Sequence, residues 1–259
     1  MIVIETVLVA FAMFSALPLP RPAWNEKNMR FALCAFPLIG VVCGLLWWGW
    51  SALCAFLTAP DLLRGAGFCL IPVLVTGGIH LDGFADACDA LASCAPPEKK
   101  QEILKDPCSG AFAVIRLCAY FAAYFALCAA LRDDGRALWS MGLAFVLERA
   151  LSGLAVTRFP LAKNTGLAHT FATSADRTAA GRVLTVLCVL SGAGMIAAGG
   201  ASGIAMLAAA LLVFLHFRVT ADRQFGGLSG DLSGWFLQRA ELWMLGALVA
   251  CQLLEAKFL

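Results

Sequence analysis

Three carboxylates stand close together in a chain with few charges. They lie in His80-Leu81-Asp82-Gly83-Phe84-Ala85-Asp86-Ala87-Cys88-Asp89, directly after the apolar run 71–79. Steps of four and three residues place Asp82, Asp86 and Asp89 on one face of a helix. Like charges on one face repel, and at membrane depth each is costly. A chain keeps such an arrangement when something positive sits among the carboxylates. Oxygen-only ligands suit a hard divalent cation, Mg²⁺ before Zn²⁺. The competing reading is a solvated acidic helix start just outside the lipid. His80, two residues before Asp82, reads as a phosphate donor, a general acid or base near neutral pH, or a packed histidine at a span end.

Two more polar blocks carry chemistry. Lys105-Asp106-Pro107-Cys108-Ser109-Gly110 shares a connection with the aspartates. Pro107 favours a turn or helix start, and Gly110 allows close backbone approach. Amides opening the next apolar stretch can face a phosphate, while Asp106 is equally a helix N-cap. Gly226-Gly227-Leu228-Ser229-Gly230-Asp231 is a glycine-rich turn ending in a carboxylate. Gly226, Gly227, Ser229 and Gly230 form a candidate cradle for phosphate or metal. Asp231 supplies a carboxylate from a second element. Glu148 and Arg149 lie within an apolar span, where ionisable residues are functional candidates by default. Neighbours on a helix point about 100° apart, so no mutual pair is expected. Arg149 is expected to face a phosphate or the aspartates. Arg116, near a span end, can snorkel. His169 and His216 have no supporting constellation.

The elements that must hold these residues are membrane helices. The chain has 259 residues, is 61% hydrophobic and only 14% charged, with mean hydropathy +0.83. A soluble domain is nearer half apolar and a quarter charged. A net charge of +2 without a basic arm excludes nucleic acid as a partner. Eleven cysteines with no C-x-x-C pair read as small buried hydrophobes. The apolar start, residues 1–16, lacks a basic lead and a cleavage site, and reads as a retained first helix. Eight hydrophobic segments appear, at roughly 2–17, 32–58, 65–80, 111–131, 137–157, 183–199, 202–219 and 240–257. The third is expected to run on as the helix carrying the aspartates. The expectation is an all-α, polytopic helix bundle of about 7–8 segments, with residues 1–259 forming one integral membrane catalytic domain.

Basic residues are lopsided. Connection 18–31 holds Arg21, Lys27 and Arg30, and connection 81–110 holds Lys99, Lys100 and Lys105. Connection 158–182, read as loop, holds Arg158, Lys163, Arg177 and Arg182, and region 218–239 holds Arg218, Arg223 and Arg239. The other side has Arg64, Arg132, Arg136 and Lys257. Positive residues stay inside, so the four basic connections are expected in the cytoplasm with the polar blocks. Trp47, Trp48, Trp50 and Trp139 then form an outer aromatic belt.

Taken in order, the polar blocks resemble one family, the adenosylcobinamide-GDP ribazoletransferases or cobalamin synthases. The resemblance lies in Leu17-Pro18-Leu19-Pro20, Phe36-Pro37-Leu38-Ile39-Gly40, the run Gly77 to Asp89, Lys105-Asp106 with Gly110, Arg149, and Gly226 to Asp231. Leu228 and Ser229 depart from the polar residue and Thr usual there, and Cys108 from a common basic residue. The resemblance implies a Mg²⁺-dependent enzyme of the bacterial cytoplasmic (inner) membrane, its site facing the cytoplasm. It implies transfer of adenosylcobinamide phosphate from adenosylcobinamide-GDP to α-ribazole or its 5′-phosphate, with release of GMP. Asp82, Asp86, Asp89 and Asp231 would hold the metal, and Lys105 and Arg149 the phosphates. Asp106 would act in catalysis, and one of the aspartates or His80 would orient or deprotonate the attacking hydroxyl. Other enzymes of cobamide assembly are the implied protein partners. Two rivals remain. The Asp-Gly-x-x-Asp run also resembles the CDP-alcohol phosphotransferases, although Asp86-Ala87 stands where they have Ala-Arg. A cation transporter would carry its charges near mid-membrane, on broken helices.

Overall fold

The computed structural model describes residues 2–20, 22–162 and 167–258. Arg21 and Lys163, counted above among the basic residues, lie outside the described residues. The elements run α1 (Ile2–Phe14), α2 (Glu26–Met29), α3 (Ala32–Ala35), α4 (Pro37–Phe56), α5 (Asp61–Thr76), α6 (Ile79–Ala92) and α7 (Pro97–Ile103). They continue as α8 (Ala111–Ala130), α9 (Gly135–Arg158), α10 (Leu167–Ser174), α11 (Arg177–Gly199), α12 (Ala201–Phe225) and α13 (Gly230–Phe258). The described residues contain no strand, only one isolated bridge between Leu161 and Leu228.

Local chemistry sets these limits. Pro37 opens α4, where its missing N–H is no loss. Asp134 caps α9 by accepting from the Ala137 amide at 2.8 Å. Asp176 caps α11 in the same way through Ala179 at 3.0 Å. Gly226 closes α12 at φ 70°, a left-handed cap that costs glycine little.

Among the described residues, five stretches are long and apolar enough to cross a bilayer: α3–α4 together, α8, α9, α11 and α12. A sixth appears if α5 and α6 count as one span. The chain is thus a multi-pass membrane bundle, and the eight expected segments map onto it with three differences. The first segment forms a helix of 13 residues. At about 1.5 Å per residue it is too short for a core of about 30 Å. The third segment does not run straight on into the aspartate helix. Gly77 and Gly78, at φ 65° and 80°, turn the chain so that α5 and α6 meet at 94°. Two successive left-handed residues are accessible to glycine and end α5 sharply. The last segment is only part of α13, which begins ten residues earlier and carries Asp231, Arg239 and Glu241. It falls short of the other five in apolarity.

The region 158–182, expected as loop, holds α10, and α11 starts within it at Arg177. Trp47 is not in an outer belt. It is fully buried and stacks on Phe68 at 4.4 Å, because its face of α4 meets α5 and α9. Trp139 is 60% exposed and packs on Trp48, as a belt would.

The core lies around α9, which packs between α4 and α11 and has the most enclosed apolar stretch of the five. A second group forms where α13 packs on α6 and α12. The two ends of the bundle differ. At one end Arg64 binds Asp61 and Asp133, each at 3.2 Å, and Arg132 meets Glu255 at 3.3 Å. The far end of α4, about 30 Å away by helix rise, opens on the polar blocks.

Candidate active site

A cavity of about 480 Å³ opens at that second end. Its polar wall includes His80 and Asp82 of α6, Lys105 just beyond α7, and Ser229, Gly230 and Asp231 at the start of α13. Its apolar wall includes Phe14 at the end of α1, Phe36 before α4 and Phe171 of α10. Phe14 lies 4.6 Å from Phe36 and 5.2 Å from Phe171 between ring centroids. Segments remote in sequence therefore share one chamber with a charged side and an aromatic side.

The close crossing of α6 and α13 decides where the carboxylates go. A Cβ on Gly83 would stand 2.8 Å from the Asp231 Cα, and one on Gly234 would stand 2.7 Å from the His80 carbonyl oxygen. Only hydrogen at both positions lets the backbones meet. This contact sets Asp231 beside the Asp82–Asp86 face. Asp82, Asp231 and Asp89 all lie within electrostatic range of Asp86. Asp86 and Asp89, half-buried on α6, lie outside the cavity lining. Asp89 packs against Gly110 at the start of α8, where a Cβ would collide with its carboxylate. Among the described residues Asp82, Asp86 and Asp89 make no ion pair with Lys or Arg.

Lys105 reaches the cavity because α7 is fastened down. Lys100 donates to the Gln224 side chain, and Gln101 donates to the Phe225 carbonyl at 2.6 Å. Asp106 is exposed and outside the lining. It does not cap α8, whose N-cap is Gly110. Its carboxylate accepts instead from the Cys108 amide at 2.9 Å, a turn local to its own loop. Asp106→Asn keeps this turn and loses the charge. We expect wild-type stability from that variant, so a drop in turnover alone would assign Asp106 to the reaction. Unchanged turnover would leave it a turn residue.

The glycine-rich turn divides in two. Ser229 and Gly230 line the cavity, and Ser229 also caps α13 by accepting from Leu232 at 3.2 Å. Gly226 and Gly227 do not line it. Gly227, at φ 148°, packs on Leu161 and Ala162, where a Cβ would stand 2.5 Å from the Ala162 amide. Two backbone bonds, Ala162 N–H to Leu228 at 2.9 Å and Leu228 N–H to Pro160 at 2.8 Å, fix this contact.

Arg149 corrects two expectations. It is 1% exposed, lies outside the cavity lining, and binds the adjacent Glu148 at 2.7 Å. The 100° between neighbours is overcome because the long side chain folds back along α9, where it also donates to the Phe145 carbonyl at 3.0 Å. Glu241 of α13 lies within electrostatic range of both. His80 is nearly buried; its Nε2 is enclosed without a hydrogen-bond partner among the described residues, and its ring lies 5.7 Å from Phe36.

Sequence reasoning missed part of the lining. His169 of α10, Ser152 of α9 and Gln101 of α7 all face the cavity. His169 had one usable signal, its place in a basic connection on the same side as the aspartates. Phe36 had only its place in the Phe36–Gly40 block; Ser152, Phe14 and Phe171 had no signal, since nothing separates them from ordinary helix residues.

The donor chemistry fits a hard cation. Asp82, Asp86, Asp89 and Asp231 are oxygen donors at one place, and three of them have no cationic partner among the described residues. They do not form a finished cage. Among the described residues, no three potential ligands converge tightly enough to hold an ion. Mg²⁺ sites are commonly built this way, from one or two carboxylates completed by water and substrate phosphates.

A sequence model of the family described as cobalamin-5-phosphate synthase matches residues 6–249. The chain belongs to this family. The match runs from within α1 to within α13, so the cobalamin-5-phosphate synthase pattern covers every element that lines the cavity. Among similar proteins, one from Lachnoclostridium phytofermentans is 38% identical over 92% of this chain and 91% of its own length. One from Pseudomonas entomophila is 34% identical, covering 92% and 95%. One from Clostridium botulinum is 29% identical, covering 94% and 96%. All three are named adenosylcobinamide-GDP ribazoletransferase. No solved structure matches the chain.

Proposed function

We propose that this chain joins adenosylcobinamide-GDP to α-ribazole, or to α-ribazole 5′-phosphate, and releases GMP, with Mg²⁺ as the required cation. The observation that carries the reading is the gathering of Asp82, Asp86, Asp89 and Asp231 beside one cavity, in a member of the cobalamin-5-phosphate synthase family. A cavity of about 480 Å³ suits a nucleoside with its phosphates. Cation transport is not favoured, because these carboxylates collect at one end of the bundle.

In the reaction a ribose hydroxyl oxygen attacks the phosphorus that carries the cobinamide. A new P–O bond forms, the phosphoanhydride bond breaks, and GMP leaves with the electron pair. The hydroxyl proton passes to a carboxylate of the α6 face or to His80. Lys105 at the cavity wall holds a phosphate oxygen and offsets its charge. Amides at the start of α13, next to Gly230, face the same charge. Asp82, Asp86, Asp89 and Asp231 would hold Mg²⁺, which when bound would supply positive charge against that developing on the transferring phosphate and the leaving GMP. The aromatic side of the cavity excludes water from the reacting phosphorus.

Purified protein given both substrates is expected to release GMP in step with formation of the joined product, and to stop when divalent ions are chelated. Absence of GMP with correctly inserted protein overturns the reaction. Undiminished turnover in excess EDTA, with metal removal verified, overturns the cation alone. The site faces the cytoplasm in this reading, the side where other cobamide-assembly enzymes would exchange substrate and product. A cysteine at exposed Ser93, in a cysteine-free background, should resist an impermeant thiol reagent in intact cells and react in inverted vesicles. Labelling in intact cells would reverse the orientation.

A further inference from the structure

The two walls of the cavity come from different parts of the bundle. The polar wall belongs to α6, the segment after α7 and the start of α13. Phe14, Phe36 and Phe171 come from the end of α1, the residue before α4, and α10. Phe36 and Phe171 are buried, whereas Phe14 is half-buried. Phe14 packs on both of the others, at 4.6 and 5.2 Å between ring centroids, so two enclosed rings hold the one that stays partly open. The chain just beyond Phe14 is tied to the turn that opens α6. The Ala16 amide donates to the Val75 carbonyl at 2.8 Å, and a Cβ on Gly77 would stand 2.9 Å from the Ala16 Cβ. The aromatic wall also meets α6 directly, where the Phe36 ring lies 5.7 Å from the ring of His80. An aromatic face is therefore held beside His80, two residues before Asp82 at the head of the carboxylate face.

The proposed transfer brings two bases to the site, and reach separates them. In the acceptor, one sugar lies between the base and the attacking hydroxyl. In the donor, a sugar and a phosphate lie between guanine and the phosphorus under attack. The shorter reach matches a wall that adjoins the start of α6. Polarity agrees. Guanine carries O6, N7 and an N2 amino group, which need partners when buried. The base of α-ribazole is a flat benzimidazole with one free ring nitrogen and no donor. Phenylalanine rings give such a base a face to stack on and leave no polar group unpaired.

We propose that the Phe14 ring, backed by Phe36 and Phe171, stacks on the base of the acceptor nucleoside and sets its ribose against the carboxylates of α6. Phe14 is then a specificity residue for flat, fused-ring, apolar bases. The inference rests on the transfer reaction proposed above.

The test measures binding of radiolabelled α-ribazole to the full-length protein in detergent by equilibrium dialysis, together with KM for each substrate. Phe14→Leu keeps an apolar side chain and removes the ring. It is expected to bind α-ribazole about 10-fold more weakly, with a matching rise in KM for α-ribazole and no change in KM for adenosylcobinamide-GDP. Phe14→Tyr keeps the ring and should retain most of the affinity. If Phe14→Leu does not fold, wild-type protein decides alone: the α-riboside of imidazole, which lacks the fused ring, should bind about 10-fold more weakly than α-ribazole. Equal α-ribazole affinity in wild type and Phe14→Leu, or equal affinity of wild type for the two ribosides, overturns the subsite and leaves the reaction standing. A rise confined to KM for adenosylcobinamide-GDP gives the wall to guanine and also overturns the subsite. Folded wild type that neither binds α-ribazole nor releases GMP overturns the reaction, and the subsite with it.

Discussion

Turnover falls by about 100-fold or more when Asp82→Asn and Asp86→Asn are introduced together, and the fall is in kcat. The amide nearly keeps the shape of the carboxylate, so packing of α6 on α13 is retained. What changes is the charge available to hold a cation beside the reacting phosphate. Stabilisation of charge that develops in the transition state acts on kcat, whereas a lost ground-state contact raises KM. Asp82 lines the cavity and is exposed, so its replacement by Asn costs little folding energy. Asp86 is crowded by Asp82, Asp231 and Asp89, so losing its charge removes repulsion. The double variant should therefore be as stable as wild type, or more so. Steady-state GMP release and a thermal melt in detergent check both halves. Near-wild-type kcat would refute the site. A large drop in melting temperature would show that the aspartates hold the fold together.

Arg149 gives the opposite pattern. Arg149→Met leaves Glu148 and Glu241 buried at the centre of the bundle without their cation. Breaking a buried pair by removing one partner costs about 3–5 kcal/mol. We expect the loss in melting temperature and in yield of inserted protein. Activity per folded molecule should fall far less than with Asp82→Asn and Asp86→Asn. Arg149→Lys keeps the charge but cannot bind Glu148 and the Phe145 carbonyl through one planar fork, so it should fall between the two. Glu148→Gln combined with Arg149→Met should recover part of the lost stability, because one orphaned charge is gone. If Arg149→Met instead melted like wild type while kcat collapsed, Arg149 would belong in contact with the substrate.

Much of the chemistry was legible along the chain. The spacing 82, 86 and 89 put three carboxylates on one helix face, and α6 carries them so. The polar blocks share one side because span length and charge bias act locally, and both can be read from composition. The same is true of the all-helical, membrane-embedded class. These features depend on residues within a turn or a span of one another, so sequence distance approximates spatial distance. The approximation failed where a side chain is long or a helix bends. Arg149 and Glu148 pair although their Cα–Cβ bonds diverge, and α5 does not continue into α6 because Gly77 and Gly78 turn it by 94°.

Other features exist only through contacts between distant segments. Asp231 joins the α6 face because Gly83 and Gly234 allow two backbones to touch. Phe14, Phe36 and Phe171 come from three elements and have no common period. Gly226 and Gly227 read as a phosphate cradle, but Gly227 serves a backbone contact with Leu161 and Ala162 that no local pattern announces. The sequence by itself determined the membrane class, the aspartate face and the gathering of the polar blocks at one end of the bundle. Tertiary structure alone decided which of those residues share a cavity and which, like Arg149, are folded inward. The reason is that periodicity reports how a residue sits on its own helix, while a cavity is set by how close separate helices can come.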